Sequence, residues 1–172
     1  MKTSTFALLA GIAYLAAGLL GLVPAMLTPP PQDAPPTTFT LLYGYLLGLF
    51  PANLTLSLLH CAVGIWGISA WHRAPAFYAR AIALLFGALA VMGMIPALNT
   101  IFGWAPIHGH DVWLHGFTAS IAAYFGWRGE VSHAERRTGR LDRRHRLQPV
   151  MQERRLGTVD RRFAHARMMA GV

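Results

Sequence analysis

Three histidines and an aspartate lie close together in the sequence, between two long apolar segments. His108 and His110 are separated by one glycine, and Asp111 precedes His115 by four residues. On a helix this spacing puts a carboxylate and an imidazole on the same face. Neutral imidazole and carboxylate groups together bind divalent transition metals such as zinc, copper, nickel or ferrous iron. A metal site made of these four residues is therefore one interpretation of the stretch.

A structural interpretation of the same residues competes with the metal site. Asp111 stands where the next helix is predicted to begin, and a carboxylate there accepts hydrogen bonds from backbone N–H groups and is favoured by the helix dipole. His108 and His110 are then solvated loop residues. Because the stretch matches no established zinc spacing, the residues favour the structural interpretation and predict no cofactor, with a divalent transition metal as the alternative.

Further polar side chains interrupt the apolar segments. Asn53 and His60 are seven residues apart, which places them on nearly one face of a helix. His60 is predicted near the middle of the membrane, where an ionisable side chain is costly and faces the protein interior with a partner. We predict a polar cluster that chiefly joins the second, third and fourth helices and comprises Asn53, His60, Asn99, Asp111 and His115.

The composition of the chain indicates a membrane protein. Of its 172 residues 54% are hydrophobic and 13% are charged, whereas soluble domains have about 25% charged residues. A helix that crosses the hydrocarbon core needs about 20 residues. The predicted fold is an all-α, polytopic membrane four-helix bundle in a domain of residues 1–128, with spans at 5–27, 52–71, 77–99 and 111–127.

The first connecting segment changes character along its length. Residues 28–38 contain five prolines, which predicts an extended loop. Residues 39–50 are apolar but too short to cross a bilayer, and Pro51 follows them, which predicts a short re-entrant or interfacial helix. A cleaved signal peptide is an alternative for the first span, but the apolar run is longer than the usual core of about 7 to 15 residues. We predict an uncleaved anchor.

Basic residues define the predicted orientation. Lys2, Arg73, Arg80 and the 12 arginines from Arg128 onward fall on one side of the predicted spans. The first and third loops contain no Lys or Arg. The positive-inside rule therefore predicts a multi-pass protein with both termini in the cytoplasm and the histidine loop outside.

Residues 129–172 form a predicted arginine-rich cytoplasmic tail with an internal repeat. The pattern E-R-R-x-G-x-x-D-R-R occurs at 135–144 and again at 153–162. Arginines next to a span attract anionic lipid headgroups, and an acidic protein is the alternative partner. Phe163 is the tail's one aromatic residue, so the tail has no stacking platform for nucleic acid. The candidate contact residues are Arg136, Arg137, Arg143, Arg144, Arg154, Arg155, Arg161 and Arg162.

The predicted function is that of a structural or interaction module in the membrane. Ser57, Cys61 and Ser120 have no convincing base and orienting group in the sequence, which argues against an enzyme. Small residues on the helix faces are compatible with a homo-oligomer. The alternative is an ion- or metal-handling, transport-related protein that uses His108, His110, Asp111 and His115.

Two motifs are similar to those of a bacterial membrane protein family, the domain-of-unknown-function family numbered four-three-eight-three. The motifs are F-P-A-N at 50–53, followed by His60 and Gly64, and I-P-A-L-N-T-I-F-G-W-A-P-I-H-G-H-D-V-W-L-H at 95–115. The resemblance covers residues 5–127 and implies an integral membrane protein with four spans, with no established activity. The predicted location is the bacterial inner membrane. Family members often carry a histidine and an asparagine where this chain has Leu56 and Ser57, a departure that weakens any multi-histidine metal site on the second helix.

Overall fold

A computed structural model describes residues 1–128 of the chain. The predicted tail, with its repeat and its eight candidate arginines from Arg136 to Arg162, lies outside the described residues. The described part is mostly helical and has four helices, three of which are long and apolar enough to cross a membrane. The helices are α1 at Thr3–Gly21, α2 at Leu54–Arg73, α3 at Pro75–Gly93 and α4 at residues 110–128.

The connection between α1 and α2 is a small antiparallel sheet, and this corrects the helix predicted at residues 39–50. After a turn of 3-10 helix at Pro24–Met26, the strands are β1 at Leu27–Thr28, β2 at Gly44–Leu46 and β3 at Phe50–Ala52. Strand β2 lies between β1 and β3 and pairs with both.

Backbone conformation explains why this apolar segment is not helical. Leu42, Leu47 and Gly48 have φ angles of 56°, 55° and 71°, in the left-handed region that ends a right-handed helix. Gly44 and Gly48 also weaken a helix by about 1 kcal/mol each relative to alanine. Strand pairing satisfies the backbone groups that a short helix would have satisfied internally, so the segment folds back as a hairpin.

The third helix ends earlier than the sequence predicted. Helix α3 ends at Gly93 and not near residue 99, and residues 95–104 form consecutive turns. Pro96 explains the difference, because a proline lacks an N–H group and disfavours the helical conformation of the residue before it. The Ile95 N–H accordingly donates to the Met92 carbonyl at 3.1 Å, three residues back. The shortened helix leaves Asn99 in a loop.

The long connections pack on each other at one end of the helices. The backbone N–H groups of Thr38 and Phe39 both donate to the Gly103 carbonyl, at 3.0 Å each. Gly103 has a φ of 87°, and an added Cβ would collide with Thr38. We call residues 24–53 and 94–109 together the loop layer. It covers the carboxyl ends of α1 and α3 and the amino ends of α2 and α4.

The opposite end of the helices carries the basic residues. The Arg128 side chain donates from Nη2 to the Met1 carbonyl at 2.6 Å. Arg80, one turn inside α3, donates from Nε to the Gly126 carbonyl at 2.9 Å. These contacts connect the start of α1 and the start of α3 with the last described turn of α4.

Glycines allow α1 and α2 to pack with their backbones in close contact. An added Cβ at Gly11 would lie 2.7 Å from the Ile68 nitrogen, and one at Gly18 would lie 2.6 Å from the Cys61 nitrogen. Gly64 on α2 faces Leu15 in the same way. Such close packing gives dispersion contacts that associate helices in lipid, where apolar burial contributes little.

Candidate functional site

One ring from each helix meets in the core, about 8 to 11 Å from the loop layer at 1.5 Å per helical residue. Tyr14 and Phe86 each lie seven residues before the end of their helix, and His60 and His115 lie six and five residues after the start of theirs. Because α1 and α3 end where α2 and α4 begin, these positions share one depth. We call Tyr14, His60, Phe86 and His115 the ring cluster.

The ring cluster is closely packed. The His115 ring stacks on Phe86 with centroids 4.9 Å apart and an interplanar angle of 6°. Phe86 also stacks on Tyr14 at 4.6 Å, and Tyr14 lies 5.2 Å from the His60 ring. The His60 and His115 centroids are 5.9 Å apart and nearly perpendicular. The structure therefore brings together the two histidines predicted on the second and fourth helices.

Within residues 1–128 the Tyr14 hydroxyl has a hydrogen-bond partner, whereas the imidazoles of His60 and His115 do not. Tyr14 donates to the Thr118 hydroxyl at 2.7 Å. Among the described residues, His60 Nε2 and both ring nitrogens of His115 are buried without a hydrogen-bond partner from the protein. A neutral imidazole carries one donor and one acceptor, and an unpaired buried polar group costs about 1 to 3 kcal/mol. These atoms can therefore bind water or a small polar ligand.

Two further polar groups lie near the same end of α2 and α4. Asp111 is 1% exposed and precedes His115 by about one turn, and its Oδ2 lacks a hydrogen-bond partner among residues 1–128. Ser57, about one turn before His60, is buried against Gly21. Its hydroxyl also lacks a hydrogen-bond partner among residues 1–128. We call Ser57, His60, Asp111 and His115 the polar centre.

The position of Asp111 differs from that of a helix cap. Helix α4 begins at His110, so Asp111 lies inside the first turn. The residue before the helix is Gly109, whose φ of 64° suits glycine. A carboxylate in the first turn is still favoured by the helix dipole. The capping role considered from the sequence is thus replaced by a buried carboxyl group that faces the protein interior.

Asn53 has a separate role in the loop layer. It is fully buried before α2, and its side-chain oxygen accepts from the Leu56 N–H at 3.0 Å. Its Nδ2 donates to the carbonyls of Phe39 at 3.1 Å and Trp104 at 2.8 Å. Asn53 therefore connects both halves of the loop layer to α2. Asn99 lies half-buried in the 94–109 loop, where its backbone carbonyl accepts from Ile107 at 2.9 Å.

The residues predicted as metal ligands have different surroundings. The His108 ring is buried 6.2 Å from that of Tyr45, whereas His110 is exposed with its ring 6.2 Å from Phe50. Within residues 1–128, no three or more His, Cys, Asp or Glu side chains are grouped to hold a metal ion. The structure thus does not assemble His108, His110, Asp111 and His115 as a ligand set.

Burial determines the protonation of the groups in the loop layer. It lowers the pKa of His108, so that imidazole is neutral at pH 7. The pKa of the Tyr45 phenol is raised by burial first and then by the charges of Tyr43, Asp33 and Asp111. The aromatic contact between His108 and Tyr45 is therefore one between two neutral rings.

Sequence reasoning missed Tyr14, Thr118 and Phe86. Tyr14 is the one phenol within the first apolar span, and a polar group inside a span is itself an indication of an inward-facing position. That rule predicts an interior position for Tyr14 without naming its partner. Phe86 carries no comparable sign, since an aromatic residue in an apolar helix suits lipid and core equally well.

Apolar helices of membrane-spanning length around a buried polar centre are typical of an integral membrane protein. Residues 4–128 match the family described as a domain of unknown function, DUF4383. The chain belongs to this family, which confirms the resemblance found in the two motifs. Neither the curated proteins nor the solved structures contain a match to the chain.

Proposed function

We propose that the domain is an integral membrane module with a structural or interaction role, in which the polar centre joins α2 and α4 through bridging water. The observation that carries the proposal is the pair His60 and His115, both buried, with ring centroids 5.9 Å apart and the rings nearly perpendicular. Polar groups separated by more than about 3.5 Å are commonly bridged by water. In lipid such contacts contribute on the order of 0.6 to 2 kcal/mol.

A noncatalytic role is consistent with the surroundings of two of the three candidate nucleophiles, Cys61 and Ser120. The Ser120 hydroxyl donates to the Gly116 carbonyl of its own helix at 2.8 Å. Cys61 is half-buried and faces Gly18 in the α1–α2 contact. Neither side chain is placed beside a general base by these contacts, as nucleophilic catalysis requires.

The proposed setting is the bacterial inner membrane, with both termini in the cytoplasm and the bilayer as the principal partner. Contacts at one end of the helices support this orientation, because Arg128 meets Met1 and Arg80 meets Gly126. Lys2 and Arg73 border the same end. The described Lys and Arg residues thus collect there, as the positive-inside rule requires of the cytoplasmic side.

Reporter fusions test the orientation. An alkaline phosphatase reporter inserted after Gly109, which is exposed in the loop layer, is expected to be active outside the cytoplasm. A green fluorescent protein joined after Val172 is expected to fluoresce in the cytoplasm. Insertion of each reporter at Ala74, between α2 and α3, is the control and should match the carboxyl terminus. If the reporters at Gly109 and Val172 indicated the same compartment, the proposal would be contradicted.

A double-mutant cycle tests the water-bridged polar centre. His60→Phe and His115→Phe keep a ring of similar size but each leaves the other imidazole without its bridge. Each single variant is expected to lower the free energy of unfolding by about 1 to 3 kcal/mol. The double variant should lose less than the sum, by about 0.5 kcal/mol or more. The measurement is unfolding in detergent micelles followed by circular dichroism.

His110→Phe is the matched control, because His110 is exposed on the same helix as His115, and it should unfold like the wild type. Strictly additive losses from the two single variants would contradict the bridge. Two single variants as stable as the wild type would instead favour the alternative function, ion handling. The ion is then expected to be a proton. Asp111 lies about one turn before His115 on α4, and both a carboxyl group and an imidazole bind and release protons.

A further inference from the structure

An open apolar groove of about 400 Å³ runs between α1 and α4, and it is separate from the polar centre. Tyr14 forms part of its floor, where the Tyr14 hydroxyl is already bonded to Thr118. The groove therefore presents hydrocarbon surface with its polar floor groups satisfied. Its other lining residues include Met1, Leu9, Ala13, Leu114, Phe117 and Ile121.

Small side chains on α1 produce the groove. Ala10, Ala13 and Ala17 recur at intervals of three and four residues, which places them on one face of the helix. On the facing side, Phe117 is 68% exposed, and Leu9 is 53% exposed on α1. The alanines thus form a depression that larger apolar side chains border on both sides.

The Met1 end of the groove is positively charged. Arg128 donates to the Met1 carbonyl and lies 4.7 Å above the Phe125 ring, which stacks on the groove residue Phe6. Lys2 is exposed next to Met1. The acids within residues 1–128 are Asp33 in the loop layer and Asp111 at the other end of α4. Among residues 1–128, an anion at the Met1 end of the groove therefore lies near two cations, Lys2 and Arg128. Neither α1 nor the last turns of α4 place a carboxylate there.

We propose that the groove between α1 and α4 binds one acyl chain of an anionic phospholipid, whose phosphate contacts Lys2 and Arg128. From Met1 to Ala17 the groove extends about 24 Å at 1.5 Å per residue. One leaflet contributes about 15 Å of hydrocarbon, half of the total thickness. A chain from the leaflet beside Lys2 therefore lies wholly within the groove while its headgroup stays at the membrane surface.

Photolabelling of the full chain in nanodiscs tests the groove. The probe is phosphatidylglycerol with a diazirine in one acyl chain, and its adducts are mapped by peptide mass spectrometry. Adducts are expected at Leu9 and Phe117. Ala13→Phe, which fills the groove at an exposed position, should reduce them at least fivefold. Ala16→Phe is the matched control, since Ala16 is exposed on the same helix outside the groove lining, and it should label like the wild type.

Competition with unlabelled lipid tests the charged end. Phosphatidylglycerol should compete for the groove adducts several-fold better than phosphatidylcholine, and Lys2→Gln should reduce this preference. Arg73→Gln removes an exposed cation at the end of α2, outside the groove lining, and should leave the preference unchanged. The arginine tail is the same in every variant. A loss of the preference for phosphatidylglycerol that occurs only in Lys2→Gln is therefore caused by the change at the groove.

Three results would overturn the proposal. The first is labelling of Leu9 and Phe117 that Ala13→Phe leaves unchanged. The second is equal competition by the two lipids, which would show that the site does not select an anionic headgroup. The third is loss of a dimer in Ala13→Phe, measured by light scattering, which assigns the groove to a helix of a second copy. None of these results depends on the water bridge between His60 and His115.

Discussion

Gly64→Ala is expected to destabilise the domain, although alanine is the better helix former. An added Cβ would lie 2.6 Å from both Cα and Cβ of Leu15 on α1, and nearer still to the Leu15 nitrogen. The obstructing atoms belong largely to backbone, so the two helices must move apart. Overpacking costs about 1 to 3 kcal/mol, and a clash with backbone belongs at the upper end of that range. After the gain of about 1 kcal/mol in helix propensity, the expected net loss is about 2 kcal/mol.

Two other glycines provide matched controls for Gly64→Ala. The nearest atom to an added Cβ is the Cβ of Ala119 for Gly87 and the Cβ of Ala90 for Gly116, at 3.8 Å in both cases. These are ordinary contacts, so Gly87→Ala and Gly116→Ala should equal or exceed the wild type in stability. The measurement is thermal unfolding in one detergent for all three variants. Equal melting temperatures would show that α1 and α2 do not pack as closely as described.

The apolar helices were predictable because hydropathy and length are local properties of the sequence. The amino end of α2 was placed within two residues, since Pro51 ends the preceding segment. The sheet was not predictable in the same way. An apolar run of about a dozen residues fits a short helix or a buried strand pair, and periodicity alone does not separate the two. Pairing with Leu27–Thr28 decides between them.

The polar cluster was predictable only where a side chain lies inside a helix. The cost of burying imidazole in lipid led to an inward position for His60, with His115 as a candidate partner, and the structure places both in the core. Asn53 was grouped with His60 because their spacing of seven residues fits one helix face. That reasoning assumes a residue within the helix, whereas Asn53 precedes it and turns its side chain to the loop layer. Partners from distant loops have no local sequence pattern.

Asn53→Asp is expected to destabilise the domain at least as much as Asn53→Ala, although aspartate caps helices as well as asparagine does. Aspartate retains the acceptor for the Leu56 N–H but replaces the Nδ2 donor with an oxygen. That oxygen then faces the carbonyls of Phe39 and Trp104, to which Nδ2 now donates at 3.1 and 2.8 Å. Two unpaired buried carbonyls and a buried charge together cost about 3 kcal/mol or more.

The comparison with a matched position separates the two roles of Asn53. Asn99→Asp makes the same chemical change at a half-buried residue of the loop layer and is expected to cost less than about 1 kcal/mol, as is usual away from buried hydrogen bonds. Chemical denaturation in detergent micelles gives the free energy of unfolding for each variant. If Asn53→Asp remained as stable as the wild type, helix capping alone would explain Asn53. A large loss from Asn53→Asp instead identifies its donated hydrogen bonds as the contacts that join the two halves of the loop layer, because those are the bonds that aspartate cannot form.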